Sequence, residues 1–163
     1  MTELEYAEFT RTQVIEYARQ LTLAGESSEL ESTAVARERL NDLLTDRVRT
    51  AGHTFFAARA ADRATHVGWV WLSPAPAFLG PGHERTLWIS QLTVDEPHRR
   101  LGFGRAILRA IEQYAVTRGT EQLWLRVFDW NAVARRLYES SGFELATQFA
   151  TDAHLRKYLN RTG

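Results

Sequence analysis

The sequence has no cysteine, and its 163 residues include only one methionine and four prolines. Without cysteine the chain can form no disulfide, no thiolate-ligated metal site and no cysteine nucleophile. Lysine plus arginine equals aspartate plus glutamate at 20 each, so the formal net charge is zero. Any anion site must therefore be a local arrangement, and nucleic acid is not an expected partner.

Long apolar runs are also missing. No stretch approaches the roughly 18 apolar residues that a membrane-spanning helix needs. The first residues, MTELEYAEFTRT, lack the apolar segment of a signal peptide. A cytoplasmic protein with no membrane partner is predicted. The five histidines show no metal-ligand spacing, so no metal is expected. They are His53, His66, His83, His98 and His154.

Two helices are predicted in the first fifty residues, where apolar residues recur at steps near 3.6. The first helix is expected to stop at Gly25. Ser28 and Glu31 form a capping-box pattern at the start of the second, whose apolar stripe continues towards Gly52. The first five residues also carry a weak signal for a short strand.

From residue 53 the pattern is dominated by strands. TFFAARAA and THVGWVWLS predict a hairpin, RTLWISQLTV and EQLWLRVF predict single strands followed by helices, and FELATQFA with AHLRKYLN predicts a closing antiparallel pair. Crossovers through helices require parallel strand pairs, whereas hairpins require antiparallel ones. The prediction is a single α/β domain over residues 1–163 with a mixed sheet, divided into a helical region at 1–52 and a core at 53–160.

The most informative segment is DEPHRRLGFGRAIL, residues 95–108, which follows a strand ending at Val94. Gly102 and Gly104 have no side chain to obstruct a ligand. The first turn of the following helix presents unpaired N–H groups and the positive end of the helix dipole. The nearby arginines are Arg99, Arg100 and Arg105. The segment predicts a phosphate or pyrophosphate site; the alternative is a tight turn with solvated arginines.

LTVDEPHRRLGFGRAIL resembles the coenzyme-A motif of the GNAT superfamily of N-acetyltransferases, which reads Gln/Arg-x-x-Gly-x-Gly/Ala after a strand. Arg99, Gly102 and Gly104 occupy its defined positions. NAVARRLYESSGFE resembles the second motif of the family, with Asn131 opening a short helix and Tyr138 near its end. The two motifs lie in the family's order with the strand LWLRVF between them.

The resemblance implies a GNAT-like mixed sheet flanked by helices, splayed between the strands ending at Val94 and Phe128, with an extended two-helix N-terminal region on the acceptor side. Acetyl-CoA would enter the opening, pairing with strand backbone and resting its pyrophosphate on the glycine turn. No metal is implied. The residues expected to bind the coenzyme are Leu92, Thr93, Val94, Arg99, Arg100, Leu101, Gly102, Phe103, Gly104, Arg105, Asn131 and Tyr138.

By the same resemblance Tyr138 is the general acid that protonates the departing thiolate; the alternative is an ordinary buried tyrosine. The reference pKa is about 10 for tyrosine and about 8.5 for a thiol, so full transfer is uphill by about 2 kcal/mol. Tyr138 is therefore expected either to have a lowered pKa or to act mainly as a hydrogen-bond donor. Asn131 is expected to cap its helix and, by resemblance, to contact the coenzyme.

The sequence leaves the general base unassigned. Many family members have a glutamate where this chain has Ser90 and Gln91. Gln91 cannot accept a proton but could position a water. Asp95, Glu96 and Asp129 follow the splayed strands, where solvation or capping is the favoured role.

The predicted function is transfer of an acetyl group from acetyl-CoA to a primary amine, on a small molecule or a peptide, by direct attack in a ternary complex. The alternative is a non-catalytic acyl-CoA-binding sensor, which the missing glutamate keeps open. A homodimer is expected by family analogy. Candidate acceptor contacts are Trp69, Trp71, Phe78, Trp88 and Trp130, with Glu26, Glu29 and Glu84 as candidate acids.

Overall fold

The computed structural model describes residues 1–23, 25, 28–62 and 64–159, excepting the side chains of residues 29 and 30. The chain divides into two compact units, Met1–Phe55 and Phe56–Gly163. The helices are α1 Glu3–Leu23, α2 Glu29–Leu43, α3 Phe103–Thr117 and α4 Ala132–Glu139. The strands are β1 Thr54–Arg59, β2 His66–Pro74, β3 Thr86–Val94, β4 Gln122–Phe128, β5 Glu144–Gln148 and β6 Asp152–Tyr158.

The first unit contains α1 and α2 and has an aromatic core. Tyr6 and Phe9 of α1 contact the ring of Phe55, with ring centroids 5.3 and 5.4 Å away, and all three side chains are buried. At the start of α2, Ser28 accepts a hydrogen bond from the Glu31 backbone and the Glu31 side chain accepts one from the Ser28 backbone. This confirms the predicted capping box.

The predicted strand in the first five residues is wrong, because α1 already begins at Glu3. The Thr2 hydroxyl accepts a hydrogen bond from the Glu5 backbone N–H at 3.2 Å, and the Glu5 carboxylate accepts one from the Thr2 backbone N–H at 2.7 Å. These reciprocal bonds satisfy N–H groups that a helix start leaves unpaired. Threonine and glutamate three residues apart therefore favour a helix over a strand here.

The predicted end of α2 is also wrong: the helix stops at Leu43 and does not continue to Gly52. A short 3₁₀ turn follows, in which the Thr50 hydroxyl accepts from the Asp46 backbone N–H at 3.1 Å and donates to the Arg47 carbonyl at 2.8 Å. Threonine side chains compete in this way for backbone groups that a helix would otherwise pair. The apolar stripe continues past the point where the helical backbone ends.

The six strands form one sheet in the order β1-β2-β3-β4-β6-β5. The β2–β3, β4–β6 and β5–β6 pairs are antiparallel, whereas β3 and β4 are parallel. The parallel pair is adjacent because the chain crosses over through α3, and the antiparallel pairs include the closing pair predicted from the sequence. The predicted α/β fold with a mixed sheet flanked by helices is confirmed.

The core of the second unit lies between one face of this sheet and the helices α3 and α4. From α3 the side chains of Ile107, Leu108 and Ile111 enter it, and Tyr138 enters from α4. Strand residues of alternating position complete it, as the period-two pattern of LWLRVF predicts. They include Ile89, Leu123, Leu125, Val127 and Leu155.

Candidate active site

The sheet opens between β3 and β4. The parallel pairing joins Thr86 with Gln122 and continues to Ile89 with Leu125, where it ends among the described residues. Both strands nevertheless continue, β3 to residue 94 and β4 to residue 128. Two strands that pair at one end and separate at the other leave backbone N–H and C=O groups for a ligand to pair with. This confirms the predicted splay.

A bulge in β3 coincides with the start of this opening. The register between β2 and β3 shifts between Trp71 and Leu72, whose partners are Gln91 and Ile89, so Ser90 is the extra residue. Its hydroxyl lies 2.8 Å from the Ser73 hydroxyl of β2. A bulge bends its strand and increases the local twist. The bulge thus comes directly after Ile89, the last β3 residue that pairs with β4.

The bulge also changes which residues of β3 face the core. Ile89, which precedes the bulge in the sequence, belongs to the core. Leu92 and Val94, which follow the bulge, pack against that core. Gln91 and Thr93 share another orientation, with the Gln91 amide nitrogen donating to the Thr93 hydroxyl at 2.7 Å. That bond fixes the amide of Gln91, the residue that the sequence suggested for positioning a water.

The far end of β3 is held in place by backbone contacts. A Cβ added at Gly68 on β2 would collide with the carbonyl oxygen of Thr93, so this close approach requires glycine. The Asp95 backbone N–H donates to the Val67 carbonyl at 2.9 Å. The Arg99 Nε donates to the Val94 carbonyl at 3.0 Å. One of the three predicted phosphate-binding arginines therefore also braces the turn that follows β3.

The turn between β3 and α3 has two left-handed positions, Arg100 with φ 63° and Gly102 with φ 85°. Gly102 is the N-cap of α3 and supplies no side-chain hydrogen bond. The first-turn N–H groups of α3 thus have no side-chain cap, as an anion-binding helix start requires. A Cβ added at Gly102 would meet nothing within 4 Å. Arg99, Arg100 and Leu101 of the turn are exposed, and so is Arg105 in the first turn of α3.

Gly104 serves a different purpose. A Cβ built there would lie 2.9 Å from Cδ2 of Leu137 on α4. Within the second unit, this glycine therefore lets α3 approach α4. The first glycine of the motif takes a left-handed backbone conformation, and the second leaves room for the Leu137 side chain of α4. Phe103, between them, contacts the ring of His98 with centroids 5.9 Å apart.

Asn131 lies just beyond β4, on the other side of the opening. Its side-chain oxygen accepts a hydrogen bond from the Ala134 backbone N–H at 3.2 Å, so it caps α4 as predicted. Its own backbone N–H donates to the Phe128 carbonyl. The predicted coenzyme residues other than Tyr138 thus lie at three positions, which are the open end of β3, the turn before α3 with the first turn of that helix, and the start of α4.

Tyr138 is buried in the core beneath the sheet, with 8% of its surface exposed. Its ring packs against Phe143 with centroids 5.8 Å apart. Burial raises the pKa of Tyr138 to about 12, because removing water disfavours the charged phenolate. Of the two expectations for this residue, the lowered pKa is wrong. The hydroxyl remains neutral throughout the usual working range of pH.

The carboxylates that follow the splayed strands are engaged in other contacts. Asp95 accepts a 2.8 Å contact from Nδ1 of His66 on β2. Asp129 lies 3.3 Å from the Gln148 amide nitrogen and 3.6 Å from the Arg135 guanidinium. Glu96 lies in an exposed 3₁₀ turn. These contacts support the structural reading of Asp95 and Asp129 over a role as base.

The candidate acceptor residues differ in their exposure to solvent. Trp69, Trp71 and Trp88 are buried. Trp130 is 48% exposed and stacks on Phe128 with centroids 4.4 Å apart. Among the acids, Glu84 accepts the Gly82 backbone N–H at 3.0 Å. Glu26 and the side chain of Glu29 lie outside the described residues.

His154 on β6 is a residue whose surroundings the sequence did not reveal. It is 8% exposed, and three aromatic rings contact its own. Phe78 stacks on it at 5.2 Å, Trp88 meets it edge-on at 5.3 Å, and Phe149 lies 4.7 Å away. The one available signal was the alternation of AHLRKYLN, which places His154 on the face opposite Leu155. Phe149 comes from the connection just before β6, but Phe78 and Trp88 come from distant segments that a pattern along the chain does not connect to His154.

Neither a metal cluster nor a membrane span appears in the described part of the chain. No group of three or more His, Asp or Glu side chains there could hold a metal ion. None of the helices described is both long enough and apolar enough to cross a membrane.

Comparison with known proteins identifies the class to which this opened sheet belongs. The acetyltransferase (GNAT) family profile matches residues 12–143. The N-acetyltransferase YycN of Bacillus subtilis is 28% identical over 128 residues, which are 78% of this chain and 79% of that protein. Its crystal structure has a TM-score of 0.82 at 26% identity, covering 93% of each chain. The chain belongs to the GNAT family and is an N-acetyltransferase.

Two further similarities are to a protein whose name states its acceptor and to a protein whose structure contains coenzyme A. The ribosomal protein bS18-alanine N-acetyltransferase of Escherichia coli is 44% identical over 64 residues, which are 39% of this chain and 42% of that protein. The PaiA N-acetyltransferase of Thermoplasma acidophilum, solved in complex with coenzyme A, has a TM-score of 0.70 at 19% identity, covering 97% of this chain and 95% of that one. The second similarity shows the fold alone.

Proposed function

We propose that this protein transfers the acetyl group of acetyl-CoA to a primary amine by direct attack within a ternary complex. The observation that carries the proposal is the opening between β3 and β4, which ends at the uncapped N-terminus of α3. An extended chain of amides suits the free strand edge, and a pyrophosphate suits the helix start. Acetyl-CoA contains both parts in one molecule.

The residues at the glycine turn fit a pyrophosphate. Gly102 opens onto free space, the N–H groups after it have no side-chain cap, and Arg100 and Arg105 are exposed beside them. Arginine forms bidentate, charge-assisted hydrogen bonds with phosphate oxygens. Backbone strain at Arg100, a non-glycine residue in the left-handed region, is also typical of a ligand-binding turn. Leu92, Thr93 and Val94 would supply backbone to the pantetheine, and Asn131 would contact the coenzyme from the other side.

Tyr138 acts in this proposal as a hydrogen-bond donor to the sulfur. Bound acetyl-CoA supplies an activated acyl group with a thiolate leaving group. A phenol of pKa about 12 would lose about 5 kcal/mol by giving its proton fully to a thiolate whose conjugate acid has a pKa of about 8.5. A neutral hydroxyl can instead stabilise the negative charge that develops on sulfur while keeping its proton.

The coenzyme assignment is tested by calorimetric titration with acetyl-CoA. Arg105→Ala should weaken binding by about tenfold or more, since a charge-assisted hydrogen bond contributes roughly 1.5–3 kcal/mol. Arg109→Ala, an exposed arginine one helical turn further along α3, is the matched control and should bind like the wild type. Equal affinity for the Arg105→Ala variant and the wild type would contradict the assignment of this turn.

The reaction is tested by following thiol release with a panel of amines, namely a peptide α-amine, a lysine side chain and a polyamine. Turnover on at least one of them is expected, with one acetylated amine formed for each thiol released. Coenzyme binding without turnover on any amine would favour the acyl-CoA sensor. The cytoplasmic setting and a homodimer stay predictions.

A further inference from the structure

We propose that His154 is the general base of the acetyl transfer, taking a proton from the ammonium group of the acceptor directly or through one water. The inference rests on the proposed function, because it assigns a role within that reaction. It assigns the general base, a role that the sequence left open because Gln91 lies where many family members carry a glutamate.

The register of the sheet places His154 at the narrow end of the opening. His154 of β6 pairs with Arg126 of β4, and Arg126 is the first β4 residue after the β3–β4 pairing stops at Leu125. Trp88 of β3, which pairs with Trp124 in the closed part of the sheet, contacts the imidazole ring with centroids 5.3 Å apart. The ring thus lies near the point where the strands separate, beside the first unpaired residue of β4 and the residue that precedes the last paired residue of β3.

His154 and Tyr138 occupy opposite faces of the sheet. The residues flanking His154 on β6, Ala153 and Leu155, belong to the core that α3 and α4 cover, and so does Tyr138. Because side chains alternate along a strand, His154 projects to the other face. A thioester held in the opening would therefore have the hydroxyl that stabilises its sulfur on one side and a proton acceptor for the amine on the other.

The surroundings of His154 keep it in the form that accepts a proton. The ring lies among Phe78, Trp88 and Phe149, and no hydrogen bond from a described residue holds either of its nitrogens. Burial among these rings lowers the pKa of His154. The charged groups near it are Asp152, which raises that pKa, and Arg126, which lowers it.

Asp152 and Arg126 are ion-paired at 2.7 Å, so their effects on His154 largely oppose each other. The aromatic elements on the remaining sides contribute no charge. His154 is therefore neutral at pH 7, as a base must be before it accepts a proton. Phe78 and Phe149 are 64% and 47% exposed, so the imidazole ring lies close to the protein surface.

A base of this kind favours a weakly basic acceptor. Taking a proton from a lysine-type ammonium, with a pKa of about 10.4, is unfavourable by about 10⁴-fold or more for an imidazole below its usual 6.5. The same transfer from an α-ammonium group, with a pKa of about 7.7–8.0, is unfavourable by only about 20-fold or somewhat more. The difference between the two ammonium pKa values thus favours an amino-acid or peptide α-amine over a lysine side chain as the acceptor.

The proton balance of the reaction is complete with these groups. The acceptor ammonium gives one proton to His154, and the freed nitrogen lone pair forms a bond to the thioester carbonyl carbon. The carbon–sulfur bond breaks with its electron pair going to sulfur, and the second proton lost from nitrogen ends on that sulfur. His154 then releases its proton to water. The products are an amide, a thiol and one proton.

The test compares the wild type with His154→Gln, using a dipeptide α-amine as acceptor and thiol release as the readout. We expect kcat/KM to fall by about 100-fold or more, as loss of a general base does. The wild-type kcat/KM should decline at acid pH with a midpoint below 6.5, whereas in the variant this midpoint should move to about 8, the pKa of the acceptor α-amine itself. Its affinity for acetyl-CoA should be unchanged, because His154 lies outside the coenzyme-binding turn.

His83→Gln is the matched control. His83 also contacts a tryptophan, with its ring 5.4 Å from that of Trp124, but it lies in the loop before β3. This variant should keep both the wild-type rate and its acid decline. A His154→Gln variant that folds, binds acetyl-CoA and retains the wild-type pH profile would overturn the inference while leaving the proposed function intact.

A second measurement needs no variant. NMR titration of the imidazole nitrogens of wild-type His154 should give a midpoint that matches the acid midpoint of kcat/KM. A titration midpoint that differs from the kinetic one would overturn the inference even if the His154→Gln variant failed to fold. If the wild type binds acetyl-CoA but acetylates no amine, the proposed function fails, and the inference fails with it.

Discussion

Replacing Tyr138 with phenylalanine removes a single hydroxyl from the candidate site and leaves the packed ring in place. The ring contributes the contact with Phe143, so the fold and the affinity for acetyl-CoA should be retained. Turnover should fall by about 100- to 1,000-fold, because a hydrogen bond to developing charge in a buried site contributes roughly 2.7–4 kcal/mol. The assay is thiol release at saturating amine and acetyl-CoA.

The pH dependence separates hydrogen bonding from full proton transfer. With a pKa of about 12, Tyr138 stays protonated from pH 6 to 10, so kcat of the wild type should show no decline in that range due to this residue. A basic decline with a midpoint near 8 to 9 that vanishes in Tyr138→Phe would refute the reasoning. Tyr158→Phe, at an exposed tyrosine of β6, is the control and should behave as the wild type.

The raised pKa also has a consequence for stability. A tyrosine whose pKa is about 10 when unfolded and about 12 when folded favours the native state fully below pH 10. That contribution is lost as the pH rises from 10 to 12, by up to about 2.7 kcal/mol. Denaturant unfolding of Tyr138→Phe should lack this part of the alkaline loss. An identical alkaline profile for the variant and the wild type would contradict the assigned burial effect.

Further predictions concern the stability of the folded chain, measured by denaturant unfolding. Gly104→Val should destabilise the protein by about 1–3 kcal/mol, because the new side chain meets Leu137; an unchanged midpoint would rule out this packing role. Gly102→Ala should cost about 1–2 kcal/mol from its left-handed backbone, although no atom lies within 4 Å of the new Cβ. Ser28→Ala should lower the free energy of unfolding by about 1 kcal/mol, because it removes the side-chain cap of α2. An unchanged free energy of unfolding would show that this cap does not stabilise the protein.

The parts of the fold that could be predicted depend on local patterns. The apolar stripe of α3 and the alternation of β4 follow directly from residue spacing, and the capping box of α2 is a three-residue pattern. The splay was expected from two motifs that lie far apart in the sequence. The bulge at Ser90, where the splay begins, depends on the register between β2 and β3, which spacing along one strand does not determine.

In the candidate site, too, local sequence patterns could be predicted, whereas packing between distant segments could not. The turn before α3 and the cap of α4 were expected because each is a short, continuous segment. The raised pKa of Tyr138 follows from packing by many core residues, so the sequence left its direction open. His154 was missed because its aromatic neighbours come from β3, a 3₁₀ turn and the loop before β6. The sequence predicted Gly104 as a coenzyme residue but gave no sign that a Cβ there would also meet Leu137.

The central claim is most directly tested by incubating the purified protein with acetyl-CoA and the amine panel, measuring thiol release together with the mass of the products. The account predicts one equivalent of acetylated amine for each thiol released, with the α-amine preferred over the lysine side chain. Tight binding of acetyl-CoA with no acetylated product from any amine would contradict it.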